Sequence, residues 1–376
     1  MLVNILVLSL ENPCSLKSGA GRYLKNQLEL LKDDIMFTVC TLRPEESCFE
    51  NRNGTWKTLE IPLKLGACPS FEDALAEMNF QMIKKVLEFG GGFDLIHAND
   101  DVTAPAAVYL KHALQLPLIS TIHGLESDRK KAAGEKAHPY RMLLERLILK
   151  ESRRVIVLSS MMKQAIKEKS LQAAENVQII PNPCRKTKTA KKQLKAVPYL
   201  FSYGRFVPEK GFFRLLRTFK ELAMLQPDLE LVIAGEGPLK SEYEKEAKTL
   251  GIERRVTILP FICDQERESW LAYSEMAAFP SAYEPFGIAV QESMTAGIPV
   301  AAEKNGGWND FVIDRVTGFR VDFENPFQAA RTLDDLLRGE AIRRKVKQTG
   351  KAFIWQLHNP EKIRKLFLER VYTPSF

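Results

Sequence analysis

Two glutamates eight positions apart carry the strongest chemical signal in the chain: Glu284 and Glu292, in FPSAYEPFGIAVQESMTAGIPV, which runs from Phe279 to Val300. The apolar run before Pro280 reads as a strand, Gly297 as a helix C-cap, and Pro299 as the start of another strand. Glu284 then falls in a loop at the amino end of a helix, and Glu292 lies within that helix. Both can face one ligand. The N–H groups near Gly287 and the positive end of the helix dipole suit an anionic ligand. The plainer alternative makes Glu284 a helix-start acid and Glu292 a solvated residue.

A second constellation, YGRFVPEKG from Tyr203 to Gly211, directly follows an apolar strand. Arg205 and Lys210 are five positions apart around a tight turn. Such a pair can clamp a diphosphate, the Arg as a planar fork and the Lys as a point charge. Two solvated cations around a turn are the alternative. After the next strand comes AGEGP, where Gly235 allows close backbone approach at the same sheet edge.

In the first half, SGAGRY places Gly19 and Gly21 between a strand and a helix. A third glycine is missing, since residue 24 is Leu, so a dinucleotide fingerprint is incomplete, and the glycines read better as keeping a loop floor low. His97 and His123 each end a strand, in DLIHANDD and STIHG. With Asn99 and Asp100 nearby, they point to a polar pocket. No Asp-x-Asp triplet is present to hold a metal on a diphosphate, so no metal is expected and the two cations take that task.

The elements that must hold these residues follow from apolar runs. They lie at Val3 to Leu10, Met36 to Leu42, Asp94 to His97, Leu118 to His123, Val155 to Leu158 and Val177 to Ile180. They resume at Tyr199 to Tyr203, Glu230 to Ala234, Val256 to Leu259, Met276 to Phe279 and Pro299 to Ala302. Near-continuous apolar strands alternating with amphipathic helices imply parallel sheets covered on both faces. The 376 residues suffice for two such domains at roughly 150 residues each. The divisions are 1–183, a Lys-rich exposed linker at 184–197, 198–354, and a final helix over 355–376 that packs back on the first domain. The helical spacing of Ile354, Leu357, Ile363, Leu366 and Leu368 supports that last element.

Composition narrows the class. The chain is 45% hydrophobic and 27% charged, which fits a globular protein, and no apolar run reaches a membrane-spanning ~18 residues. Leu2 to Leu10 reads as a buried strand and not a signal peptide, because Asn4 interrupts it and no basic segment precedes it. The six cysteines are scattered, which suggests neither a zinc site nor a disulfide framework and favours a reduced, cytoplasmic protein. The net charge of +7 is concentrated: residues 129–195 hold 18 basic and 5 acidic side chains. Within them, Met142, Leu143, Leu147 and Ile148 alternate with Arg141, Arg146, Lys150, Arg153 and Arg154, an amphipathic helix over 136–154. Its basic face is either simply solvated or touches anionic lipid at the inner face of a membrane. Nucleic acid is not expected, because aromatic residues are not interleaved with the charge.

Taken in order, these motifs resemble the retaining, nucleotide-sugar-dependent glycosyltransferases of the GT-B fold, the glycosyltransferase group 1 family (family 4). The likeness runs through SGAGRY, His97, His123, Ser159 and Ser160, Asn182, GRFVPEKG, AGEGP, FPSAYEPFGIAVQES, AGIPV, Gly306 with Gly307, and Thr317 with Gly318. It implies two Rossmann-like doubly wound domains facing a central cleft, acceptor side first and nucleotide-sugar side second. It also implies that Arg205 and Lys210 bind the donor diphosphate, Glu292 the ribose hydroxyls, and Glu284 with the backbone of Phe286, Gly287 and Ile288 the transferred sugar. By the same likeness His123 lies beside the sugar, and Gly19 and Gly21 line the loop under it.

The chain departs from the family pattern at Pro183, where Gly is usual, at Asp310, where Glu is common, and over 45–71. The activity implied is transfer of a sugar from a nucleotide sugar, UDP-sugar favoured over GDP-sugar, with no metal or other cofactor. The acceptor is a hydroxyl of a glycan, a lipid-linked or a small molecule, as in the synthesis of cell-surface polysaccharides and glycoconjugates, with His97, Asn99 and Asp100 on the acceptor side. The competing classes are a catalytically silent nucleotide-sugar binder, an epimerase of the same fold, and an oxidoreductase built on Gly19 and Gly21.

Overall fold

The computed structural model describes residues 2–14, 18–43, 56–63, 66, 68–169, 171, 174–185 and 193–372. The chain forms two compact units. One comprises Met1–Lys131, Glu135–Pro183 and Pro360–Phe376; the other comprises Ala132–Gly134 and Cys184–Asn359.

The first unit holds β1 (Val3–Ser9), α1 (Gly19–Leu31), β2 (Ile35–Leu42), β3 (Lys57–Ile61), α2 (Phe71–Phe89), β4 (Leu95–Asn99) and α3 (Ala104–Leu114). It continues with β5 (Leu118–Thr121), α4 (Glu126–Ala133), α5 (Pro139–Glu151), β6 (Arg154–Val157), α6 (Ser160–Glu168) and β7 (Val177–Ile179). All seven strands are parallel, in the order β3-β2-β1-β4-β5-β6-β7. Ile5, Leu6, Val7 and Leu8 of β1 are fully buried on both faces, which is why the run is continuously apolar.

The second unit holds β8 (Tyr199–Tyr203), α7 (Phe212–Leu225), β9 (Glu230–Ala234), α8 (Lys240–Thr249), β10 (Val256–Leu259), α9 (Asp264–Ala272) and β11 (Met276–Phe279). Then come α10 (Ile288–Ala296), β12 (Val300–Glu303), β13 (Phe319–Val321), α11 (Pro326–Arg338) and α12 (Glu340–Leu357), followed by α13 (Pro360–Arg370), which belongs to the first unit. Its sheet is again parallel, in the order β10-β9-β8-β11-β12-β13. Each sheet therefore reverses direction once, between β1 and β4 and between β8 and β11. Ligands of doubly wound folds bind outside the carboxyl ends of the strands at such a reversal.

Three features differ from the sequence expectation. Strands β3 and β13 had no apolar run to reveal them, because an edge strand is covered on fewer sides and β3 buries only Leu59 and Ile61. The expected last helix is two: α12 stops at Leu357 and α13 starts at Pro360, whose ring removes a donor and clashes with a continuing turn. Ile363 and Phe367 are its buried residues, in place of Leu366 and Leu368.

The linker is also shorter than expected. Cys184 is buried and its N–H donates to the His358 carbonyl at 2.9 Å, while Lys195 pairs with Glu230. Residues 186–192 lie outside the described residues.

Candidate active site

In the second unit the loop after β8 is pinned from both sides. Gly204 N–H donates to the Ala234 carbonyl at 3.0 Å, and Phe206 N–H to the Glu236 carbonyl at 2.7 Å. The fully buried Phe206 ring packs edge-on against Phe212 and Tyr243 at 5.5 and 5.4 Å. Gly235 is required here, because a Cβ on it would lie 1.9 Å from the Gly204 carbonyl oxygen. The close approach it permits is thus between two loops, and its own N–H is taken by the Leu259 carbonyl.

The loop after β11 is tied to the same place, since the N–H of Ala282 donates to the Glu209 carbonyl at 2.9 Å. Lys210 Nζ consequently lies 2.5 Å from Glu284 Oε2, with the two side chains 20% and 17% exposed. Arg205 is different. Its side chain is 54% exposed, and Nη2 is 3.7 Å from Glu209 Oε1. The two cations are therefore not an equivalent pair: one is half enclosed against a carboxylate, the other extends into solvent.

Gly287 caps the start of α10 with φ +94°, a region costly to any other residue, and a Cβ there would meet Trp308 at 2.8 Å. Behind the loop, Trp308 is fully buried, and Gly307 N–H donates to the Glu284 carbonyl at 2.7 Å. The Phe286 ring is in the core, its centre 5.4 Å from that of Phe311 and 5.5 Å from that of His358. Ile288 begins the helix, and no side chain caps that end. Its N–H groups and dipole therefore favour an anion.

Glu292, one turn further along α10, is not a merely solvated acid. Tyr203 Oη lies 3.1 Å from its Oε2 and shares its one proton with the Ala289 carbonyl at 2.9 Å, and the Arg267 guanidinium approaches both carboxylate oxygens, Nε to Oε2 at 3.3 Å and Nη2 to Oε1 at 3.5 Å. Burial and the Glu292 charge push the Tyr203 phenol well above its ordinary range, so it stays a donor. Tyr203 opens the YGRFVPEKG run without a role of its own there, and Arg267 lies in no motif. Arg267 stands on α9, 25 positions away, and nothing in its local pattern announces the partner.

The first unit gathers a second polar cluster at the carboxyl ends of β4 and β5. His123 Nε2 lies 3.1 Å from Asn99 Oδ1, and its backbone N–H donates to Asp100 Oδ1 at 3.3 Å. Burial lowers the His123 pKa to about 4, so the ring is neutral near pH 7 and offers one donor and one acceptor. Asn99 Nδ2 is buried and has no hydrogen-bond partner among the described residues. Asp100 has φ 66° and ψ 167°, a conformation populated essentially by glycine and costing about 1–3 kcal/mol. Asp101 helps hold it there, gripped by both arms of Arg141, with Nε donating to Oδ2 at 2.8 Å.

His97 does not line this cluster. It is fully buried in the middle of the sheet, with Nδ1 2.6 Å from Tyr372 Oη and Nε2 2.7 Å from Thr121 Oγ1. Both ring nitrogens are occupied by the protein, and burial lowers its pKa to about 3. Gly19 and Gly21 sit in the first turn of α1 and not in a loop, because the Ser18 hydroxyl caps that helix by accepting from Gly21 N–H at 3.0 Å.

Beneath the Asp100 loop, Glu145 of α5 is buried and accepts from the Glu126 N–H at 2.8 Å. Burial raises its pKa to about 7; the Glu126 hydrogen bond opposes this, while Asp101, Asp100 and Asp128 add to it. Its folded-state pKa exceeds the unfolded one, so the associated stability is complete below about pH 4.5 and is lost as pH rises through about 7. Glu145→Gln keeps the acceptor oxygen. The variant is expected to match wild type at pH 3.5 and to exceed it at pH 8.5 by about 3 kcal/mol in urea unfolding. Equal stabilities at both pH values would refute the assignment.

Among the described residues no group of three or more His, Cys, Asp or Glu side chains is placed to hold a metal ion.

The glycosyl transferases group 1 model matches residues 185–353, and the glycosyltransferase family 4 model matches residues 17–185. An uncharacterized glycosyltransferase of Bacillus subtilis (strain 168), YqgM, is 41% identical over 99% of this chain and 99% of its own. The chain belongs to this glycosyltransferase family. Sucrose-phosphate synthase from Thermosynechococcus elongatus has a similar structure, with a TM-score of 0.85 at 21% identity over 97% of each chain. HepE from Anabaena, solved with UDP and glucose, gives a TM-score of 0.77 at 18% identity over 97% of this chain and 98% of its own. The fold is thus GT-B, with two Rossmann-like domains.

Proposed function

We propose that this glycosyltransferase is a retaining, metal-independent enzyme that moves a sugar from a nucleoside-diphosphate sugar, UDP-sugar favoured, to a hydroxyl of a glycan, lipid-linked or small-molecule acceptor. Cell-surface polysaccharide or glycoconjugate synthesis is the setting this suits. The observation that carries the proposal is the convergence of Lys210, Glu284, the uncapped start of α10 and Glu292 around the carboxyl ends of β8 and β11. UDP is favoured because HepE, a structural neighbour, was solved with it.

In this reading Arg205, Lys210 and the α10 amino end hold the diphosphate, Glu292 the ribose, and Glu284 with the Phe286 to Ile288 backbone the sugar. Cleavage of the glycosyl–phosphate bond builds oxocarbenium character on the sugar and charge on the departing oxygen. Preset cations and N–H groups stabilise that charge without reorganising, by roughly 2.7–4 kcal/mol per well-placed donor. With no carboxylate assigned as a nucleophile, the acceptor hydroxyl attacks from the face the diphosphate leaves, and its proton passes to the leaving phosphate oxygen. Neutral His123, with Asn99 and Asp100, serves the sugar and acceptor hydroxyls, while buried His97 acts only by holding β4 and β5 in place.

The test is a thermal-shift panel of UDP-, GDP- and ADP-sugars, followed by acceptor-dependent release of the nucleoside diphosphate. A bound donor at 100 times its Kd is expected to stabilise the protein by about 2.7 kcal/mol. No shift with any donor would refute the proposal, and a shift without release across an acceptor panel would favour a silent binder.

A peripheral contact with anionic lipid at the inner face of the membrane is part of the proposal, with the enzyme cytoplasmic. No helix among the described residues is long and apolar enough to cross a membrane. On α5 the buried face is Leu144, Glu145, Ile148 and Leu149, which differs from the expected set because Arg141 turns inward to Asp101. Arg154 is likewise committed, donating to the Arg370 carbonyl at 2.7 Å. Leu143, Arg146, Lys150 and Arg153 are exposed. At about 1 kcal/mol per basic side chain, reversing Arg146, Lys150 and Arg153 to Glu is expected to abolish most sedimentation with phosphatidylglycerol vesicles at low salt. Wild-type protein that ignores such vesicles would leave a solvated face and a soluble acceptor.

A further inference from the structure

We infer that Arg267 is a positioning residue for donor recognition: by fixing the Glu292 carboxylate it sets the preference of the site for ribose over 2′-deoxyribose nucleotides. The inference rests on the reading of Glu292 as the ribose ligand.

The residues come from three elements. Glu292 projects from α10, Arg267 from the neighbouring α9, and Tyr203 from the end of β8. The Arg267 side chain is only 8% exposed. Its guanidinium lies 5.6 Å from the centre of the Tyr203 ring, within reach of a cation–π contact, and Nη1 donates to Asp264 Oδ1 at 2.8 Å, a bond from the same helix. Held on those two sides, the guanidinium places Nη2 3.5 Å from Glu292 Oε1 and Nε 3.3 Å from Oε2, an ion pair in which Nε makes no hydrogen bond among the described residues, while Tyr203 Oη, which also faces the Ala289 carbonyl at 2.9 Å, lies 3.1 Å from Oε2.

A glutamate with three rotatable bonds recognises a diol well only if its carboxylate is already oriented, because ordering it on binding costs affinity. A planar guanidinium fork supplies that orientation, which a lysine point charge reproduces only in part. Asp264 offsets the Arg267 charge, so the three side chains carry one net negative charge, suited to accepting hydrogen bonds from hydroxyls.

The experiment is calorimetric titration of UDP against 2′-deoxy-UDP, with GDP and 2′-deoxy-GDP in parallel, on wild type, Arg267→Met, Arg267→Lys, Tyr203→Phe and Glu292→Ala. Arg267→Met keeps the stem over Tyr203 and removes the fork. It is expected to weaken the ribonucleotide by roughly 10-fold, leave the deoxynucleotide within about 2-fold, and so collapse the ratio between them. Arg267→Lys should give an intermediate ratio, and Tyr203→Phe a smaller loss.

An unchanged ratio in Arg267→Met overturns the inference, as does an equal weakening of both nucleotides, which would mark a purely structural role. If Arg267→Met does not fold, a wild-type ratio in Arg267→Lys overturns it instead. If Glu292→Ala itself keeps the wild-type ratio, the ribose reading of Glu292 fails, whatever Arg267 does.

Discussion

Lys210→Ala is expected to lower turnover by roughly 10²- to 10³-fold while the protein stays folded, because the charge it opposes develops only as the glycosyl–phosphate bond breaks. Nζ is half enclosed and already faces the Glu284 carboxylate at 2.5 Å, so it is fixed before the donor arrives. Glu284, 17% exposed with the lysine in place, opens further to water when Nζ is removed, which limits the structural cost. Arg205→Ala is expected to lose a similar factor with no change in Tm, since its contact with Glu209 is long and its side chain is 54% exposed. Initial rates of nucleoside-diphosphate release, with thermal melts as the folding control, check both. EDTA should leave the wild-type rate intact. A strict magnesium requirement would contradict the cationic clamp, and near-normal turnover in Lys210→Ala would remove that residue from the leaving-group site.

What the sequence could show of this molecule depended on how many sides of each element are covered. Central strands such as β1 and β4 are buried on both faces, and their apolar runs were readable to within a residue or two. The edge strand β3 is exposed at its first two positions and buried only at Leu59 and Ile61, and β13 is three residues long, so neither rises above the background of loops. Pro360 was visible in the sequence, yet the apolar spacing on both sides of it suggested one helix where there are two. Spacing reports a face; it does not report continuity.

The candidate site was readable as residue types and not as partnerships. The motif around Glu284 and the one around Lys210 each announced a charge, but their direct pairing spans 74 positions and depends on β8 and β11 being neighbours. His97 and His123 looked alike, each ending a strand. Their fates differ because Tyr372, 275 positions beyond His97, closes over one and leaves the other beside Asn99 and Asp100. The conformation of Asp100 left no local trace at all, since glycine is the residue that ordinarily marks φ 66°.

Glu292→Ala is expected to weaken donor binding more than it slows the chemical step. A charged acceptor lost from ribose hydroxyls costs about 1.5–3 kcal/mol, or roughly 10- to 150-fold in Kd. The bond that breaks lies at the other end of the donor, so the contact is made alike before and during the reaction, and KM should rise while kcat changes little. The fold should tolerate the change, because Arg267 retains Asp264 at 2.8 Å and its place over Tyr203. Glu292→Gln keeps the length of the side chain and one acceptor oxygen, and is expected to fall between wild type and Glu292→Ala in affinity. Calorimetry with the donor that wins the thermal-shift panel decides the matter. Donor affinity unchanged in Glu292→Ala would take Glu292 out of the site, and a loss confined to kcat would move it from the ribose to the reacting sugar.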